Sequence, residues 1–291
     1  MPHTERELLD RIAERSGGLV LPFGRLAVGP GDDCAVVELA GETLLVTADQ
    51  LVEGRHYEPG TDVDLVARKA VSRSISDIAA MGGSPIWATA TGLLPDGFEH
   101  AAELFDAMKR WAEAWSSPLI GGDLATGPGP LVLTTTVVGR MAEGVAPVPR
   151  SGARPGDGVY LSGPIGGSLP SGRHLTFEPR LAEGARAAAE GGHAMIDLSD
   201  GLGIDADRVA RASGVRIELE ADAVPLHQDA GGWRQAIGHG EDYELLLCSS
   251  KPIEGFVGPV GRVAPGPPGA VVLDGAGAAH DAAVFGWDHG D

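Results

Sequence analysis

Residues 195–214 read MIDLSDGLGIDADRVARASG, and this stretch decides the fold class. Residues 194–197 are a short apolar run that ends on Asp197, as a strand does. Ser199 stands where a helix N-cap would, the helix runs on to Ala212, and Gly214 is a helix stop. A strand that hands a carboxylate to a turn and then a helix is one unit of an alternating α/β chain. The same delivery recurs in Gly29-Pro30-Gly31-Asp32-Asp33, Leu45-Val46-Thr47-Ala48-Asp49 and Leu119-Ile120-Gly121-Gly122-Asp123. Asp77 sits in a predicted helix between them. Aspartates are poor strand residues and repel one another. So many at element ends implicate a cation, with Mg²⁺ carrying a polyphosphate as the natural candidate.

Outward from that stretch, helices are expected over 4–15, 65–81, 99–115 and 179–190. Thr4 and Asp64 are the expected caps of the first two. In the second, Asp77 falls off the apolar stripe of Val71, Ile75 and Ile78, one turn from Arg73. Strands are expected over 35–37, 43–47, 86–93, 131–138, 158–162, 215–219 and 243–248. Gly163, Gly166, Gly167 and Gly172 mark a glycine-rich loop, and no internal repeat is seen. Residues 140–157, rich in Pro, Gly and Ala, are the best boundary between two domains, 1–145 and 146–291. Strands alternate with helices in both halves, so the class is α/β or α+β.

A hydrophobic content of 43% supports a real core, and 291 residues suffice for two domains. The net charge of −19 leaves no basic stripe for a phosphate backbone, so nucleic acid is not an expected partner. Cys34 and Cys248 make neither a disulfide framework nor a zinc spacing, which fits a reduced cytoplasmic setting. The N-terminus lacks a signal-peptide apolar region, and no apolar run approaches the roughly 18 residues of a membrane span.

Each motif alone has a plain structural reading. The Gly-x-Gly-Asp-Asp turn reads equally as an Asx-turn. His56, shortly after Asp49, reads equally as a surface histidine. Gly121-Gly122-Asp123 would let a backbone approach an anion beside a metal-binding carboxylate. Ser199 and Asp200 open a helix whose N–H groups favour phosphate, or simply cap it. The acids of Gly240-Glu241-Asp242-Tyr243-Glu244 face either a cationic substrate or solvent.

In order and spacing the motifs GPGDDCAVV, TADQLVEGRHY, SRSISDIAAMGGSPIWA, LIGGDLATGPGPL, RSGARPGDGVYLSG, MIDLSDGLGIDADRVARASG and GHGEDYELLL resemble the thiamine-monophosphate kinase family. That family shares a superfamily with aminoimidazole ribonucleotide synthetase and selenide water dikinase. The resemblance runs from about Gly29 to the C-terminus. It implies a two-domain fold, an N-terminal sheet domain that dimerises plus a C-terminal α/β sandwich. It implies several Mg²⁺ ions held by Asp33, Thr47, Asp49, Asp77, Asp123, Asp197 and Asp200, with Asp49, Asp77, Asp123 and Asp200 at the catalytic centre. Gly122, Asp123, Arg150 and Ser199 would contact ATP. His56, Glu241 and Trp287 would contact thiamine monophosphate. The implied reaction is in-line phosphoryl transfer from ATP to thiamine monophosphate.

Two departures stand out. Ala48 occupies a position that is a hydroxyl residue in the family pattern, and the segment 163–193 is shorter than the family's. Neither removes an aspartate. Rival readings are an aminoimidazole ribonucleotide synthetase-like ligase and a non-catalytic binder of Mg-nucleotide or thiamine phosphate. The dikinase reading would want a reactive Cys near the N-terminus, and the hydrogenase-maturation branch a C-terminal one; the chain has neither.

Overall fold

A computed structural model describes residues 8, 11, 12, 14–16, 18–287. Most of the helix expected over 4–15, its Thr4 cap included, lies outside the described residues, as do residues 288–291. Two sheets organise the rest. The first joins β1 (Arg25–Val28), β2 (Ala35–Leu39), β3 (Glu42–Val52), β4 (Ser84–Pro95), β5 (Leu119–Gly127) and β6 (Val132–Arg140) in the order β1-β2-β3-β6-β4-β5. Only the β4–β5 pair is parallel. Helices α1 (Val63–Ala80) and α2 (Ala101–Ala114) pack against each other, and α1 lies on β3 and β6.

The remaining strands are β7 (Gly158–Leu161), β8 (Ala194–Asp197), β9 (Arg216–Glu220), β10 (Leu245–Ser249), β11 (Val257–Ala264), β12 (Gly269–Leu273) and β13 (Ala279–Asp281), ordered β13-β12-β9-β11-β7-β10-β8. Helices α3 (Ser168–Ser171), α4 (Leu181–Ala189), α5 (Leu202–Ser213) and α6 (Trp233–Gly238) accompany them. The mixed α/β class expected from the sequence is what the chain adopts.

Helix α1 is the hinge-pin of the architecture. It touches β3 and β6 of the first sheet, and β8 and α4 beside the second. Contact on several sides explains why Val66, Val71, Ile75 and Ile78 are buried together with Lys69, Ser72, Ser74 and Ser76. Its close approach to α4 relies on Gly184, where an added Cβ would lie 2.0 Å from the Ala79 carbonyl oxygen.

Several local expectations are corrected. Helix α1 is capped by Asp62, whose Oδ1 accepts from the Asp64 N–H at 2.8 Å, while Asp64 itself pairs with Arg110. Ser199 does not cap α5: the N-cap is Gly201, and Asp205 Oδ2 reaches back to accept the N–H groups of Asp200 and Gly201 at 3.1 Å each. Asp49 does not end a strand, because β3 stays paired with β6 from Leu44 to Val52. Gly122 and Asp123 sit inside β5, paired with Ala90 and Thr91, rather than in a turn. Ladder pairing extended both strands past the point where their residues favour stopping.

Candidate functional site

A cavity of about 610 Å³ opens where α1, the loop after β8 and the C-terminal end of the described chain meet. That is an ordinary size for a ligand pocket. Of the site residues expected from the sequence, Asp33, Thr47, Asp49, His56, Asp77, Arg150, Asp197, Ser199, Asp200, Glu241 and Trp287 all line it. Gly122 and Asp123 do not.

The chemistry concentrates where three elements converge. Asp33 comes from the β1–β2 turn, Asp77 from α1 and Asp197 from the end of β8. One carboxylate oxygen from each lies within 4.8 Å of the others. The Thr47 hydroxyl donates to Asp77, and Ser76 Oγ donates to Asp197 Oδ2 at 2.6 Å. Arg150 Nη2 donates to Asp33 Oδ1 at 2.6 Å, while its backbone N–H reaches Asp32 at 3.1 Å. Asp33 Oδ2 is buried with no hydrogen-bond partner among the described residues.

Burial, followed by the charge of Asp49, raises the pKa of Asp77 well above the carboxylate range. Burial and then Asp33 do the same to Asp197. Asp32 is pushed up to about 6, first by burial and then by Asp33. The buried Cys34 thiol is raised by burial and then by Asp77, which keeps it a thiol rather than a nucleophile. Carboxylates pressed together against their own charge make this cleft the candidate functional site.

Around this cluster the chain places cations. Arg73 Nη2 lies 3.7 Å from Asp49 Oδ1, and its Nη1 donates to the Gln50 carbonyl at 2.8 Å. Arg208 Nη1 donates to Asp200 Oδ2 and Asp205 Oδ1, both at 2.6 Å. Two N–H groups at the entry to α5, those of Asp200 and Gly201, are thus held by Asp205.

Elsewhere on the wall are His56, Glu241, His174, Leu169 and Trp287. His56 Nδ1 accepts the Val52 N–H at 2.8 Å, so the neutral ring carries its proton on Nε2. The loop before β10 approaches the 199–200 backbone closely: a Cβ on Gly240 would lie 2.3 Å from the Ser199 carbonyl oxygen. Its acids do not face solvent. Lys69 pairs with Glu241, Arg173 with Asp242 and Arg180 with Glu244. Phe177 stacks on Tyr243 with ring centroids 3.9 Å apart. The short 163–193 segment therefore still reaches the cavity, placing Leu169 and His174 on its wall.

Sequence reading missed Lys69, Arg73 as a lining residue, and Arg208. A signal was present: Lys69, Arg73 and Asp77 recur every four residues and share one face of α1.

Gly122 and Asp123 lie on β5, the edge of the first sheet. Across the ladders, Asp123 is in the row of Thr91, Thr134 and Gln50. Asp49 is in the neighbouring row, whose side chains face the opposite side of the sheet, toward α1. Spacing of roughly 4.8 Å per strand puts Asp123 about 14 Å from Gln50. Within this chain Asp123 lies apart from the cavity lining.

A family model, AIR synthase related protein, N-terminal domain, matches residues 31–141. The thiamine-monophosphate kinase of Salmonella typhimurium is 37% identical over 248 residues, 75% of this chain and 75% of the relative. That of Rhodopirellula baltica is 34% identical over 245 residues, covering 77% and 76%. The AaThiL structure complexed with AMPPCP and TMP superposes with a TM-score of 0.83 and 29% identity, covering 98% of this chain and 97% of that one. Thiamine monophosphate kinase from Aquifex aeolicus superposes with a TM-score of 0.76 and 26% identity, covering 96% and 99%. Ordered motifs, shared fold and identity above 30% over three quarters of both chains converge on one conclusion: this chain belongs to the thiamine-monophosphate kinase family.

Proposed function

We propose that the cavity binds ATP and thiamine monophosphate and transfers the γ-phosphoryl group of ATP to the substrate phosphate, giving ADP and thiamine diphosphate. The observation that carries this reading is the convergence of Asp33, Asp77 and Asp197 in one cleft with Arg150, His56 and Glu241 on its walls.

The donor set suits Mg²⁺. It is all oxygen, closely spaced, and includes the unpartnered Asp33 Oδ2. Asp33, Thr47, Asp49, Asp77, Asp197 and Asp200 would hold several such ions. When bound, Mg²⁺ neutralises phosphate oxygens and the charge developing on the transferred group.

The protein's own residues have three tasks. Arg150 offers a fixed cationic fork to phosphate oxygens while anchored through Asp33. Ser199, beside Asp200, offers a hydroxyl to the nucleotide. His56, Glu241 and Trp287 receive thiamine monophosphate, with the flat Trp287 ring suited to a cationic thiazolium. No strong general base is needed, because a phosphate with a second pKa near 6 is largely ionised at pH 7. The work is positioning two anions in line.

We also propose a homodimer, with 1–145 as its Mg-ATP-binding and dimerising domain and 146–291 as the second. Exposed Ile120 and Leu124 flank Gly122 and Asp123 on the edge of the sheet. Such an apolar edge is a pairing surface. A second copy docked there would carry its own Gly122 and Asp123 toward a neighbouring nucleotide site. The setting is read as cytoplasmic. In support, no described helix is long and apolar enough to cross a membrane, and Cys34 and Cys248 are buried free thiols.

The test is an assay for thiamine diphosphate from ATP, MgCl₂ and thiamine monophosphate. Product formation is expected. Tight binding of both substrates without product would instead support a binding protein, the reading that Ala48 and the shortened 163–193 segment would support.

A further inference from the structure

Lys69 lies on α1 with its side chain entirely buried, 0% exposed. A buried ammonium is costly unless it is paired, and this one is paired twice. Its Nζ donates to the His56 carbonyl oxygen at 2.6 Å and lies 2.6 Å from Glu241 Oε2. Those two partners belong to different loops, one after β3 and the other before β10. Both side chains line the cavity. Lys69 itself does not, so it acts through them.

The Glu241 loop needs such support. Glu241 has φ +65° and Tyr243 has φ +52°, a left-handed backbone that non-glycine residues adopt only when their surroundings hold them there. The loop is pinned by the Glu241 N–H to the Ser199 carbonyl at 2.7 Å and by the Arg173–Asp242 pair. Neither of those contacts orients the Glu241 carboxylate. Lys69 does, through its ion pair with Oε2.

We propose that Lys69 is the positioning residue of the acceptor subsite: it fixes the Glu241 carboxylate and the His56 loop in one arrangement, and so sets recognition of thiamine monophosphate without touching it. The inference rests on the proposed function, which places thiamine monophosphate against His56 and Glu241. It goes beyond that reading by assigning the coupling between them.

The experiment is steady-state kinetics on the full chain with Lys69→Met, Glu241→Gln and the double variant, alongside wild type. Thermal unfolding serves as the folding control. Lys69→Met is expected to raise KM for thiamine monophosphate at least tenfold and to leave KM for ATP within twofold. The double variant carries no unpaired buried charge and is expected to lose less than the two single variants together, because one part of the Lys69 effect runs through the Glu241 carboxylate and only the contact to the His56 carbonyl is independent of it. If Lys69→Met does not fold, Lys69→Gln retains a donor for His56 and is read in its place. An unchanged KM for thiamine monophosphate, equal losses on both substrates, or additive effects in the double variant would overturn the inference. Wild-type turnover separates the two levels. A wild type that neither binds nor phosphorylates thiamine monophosphate overturns the functional reading and this inference with it. An active wild type with an indifferent Lys69→Met overturns only this inference.

Discussion

Replacing Asp77 with Asn should make the protein more stable without metal and less responsive to it. Asp77, Asp33 and Asp197 hold carboxylate oxygens within 4.8 Å of one another. At an effective dielectric of about 20, two unit charges at that separation repel by roughly 3.5 kcal/mol. Asp77 lightens this by binding protons, as its raised pKa records, with burial and then Asp49 as the causes. The net relief on substitution is therefore smaller, about 1–3 kcal/mol. Asn keeps an oxygen to accept from the Thr47 hydroxyl, so no buried donor is stranded. At about 2–4 °C per kcal/mol for a chain of comparable size, the midpoint in EDTA should rise by roughly 2–12 °C. Wild type should recover the difference on adding MgCl₂ with a non-hydrolysable ATP analogue. Ligand at a hundred times its dissociation constant contributes about 2.7 kcal/mol. The assay is thermal unfolding of both proteins in EDTA and in the Mg-nucleotide mixture. A variant that is less stable than wild type in EDTA, or gains as much from Mg-nucleotide, would refute the reading of these carboxylates as a metal site.

Two further perturbations test other parts of the structure. Burial raises Asp242 from 3.8 to about 6, against the opposing Gly166 N–H and Arg173. Its contribution to stability is then fully present below about pH 4 and lost as pH rises through about 6. At about 1.36 kcal/mol per unit this amounts to roughly 3 kcal/mol. Asp242→Asn should flatten the pH dependence of the urea midpoint between pH 4 and 7, and equal slopes in variant and wild type would count against it. Gly122→Ala would place a Cβ 1.8 Å from the Ala90 carbonyl oxygen, whereas Gly121 has nothing within 4 Å of its own. The first substitution should cost about 1–3 kcal/mol by forcing β4 and β5 apart, and the second should be tolerated. Thermal unfolding compares them, and equal midpoints would show that the β4–β5 contact is not tight.

The cavity-lining aspartates were legible because Asp is conspicuous beside apolar runs. Asp33, Asp49, Asp77, Asp197 and Asp200 all reach the cavity. The helices over 65–81 and 99–115 were legible as well, since period 3.6 reports which face is buried. Caps were less so. Asp62 and Asp64 are both good N-caps by type, and only the packing of α2 decided between them: Asp64 is drawn to Arg110 and Trp111. Ser199 was a sound cap by type and lost to Asp205, which reaches back from one turn inside α5.

The sequence by itself determined the class of fold, the order of its carboxylates and a net charge of −19. Those properties are local, written in residue type and period. Tertiary structure decided which carboxylates meet. It set Asp33, Asp77 and Asp197 together from three separate elements and left Asp123 on the far face of an edge strand. It also turned the acids of the Glu241 loop inward onto Lys69, Arg173 and Arg180. The reason is that ladder register and helix packing join residues far apart in the chain, and a single side chain carries no mark of the partner that long-range pairing will bring to it.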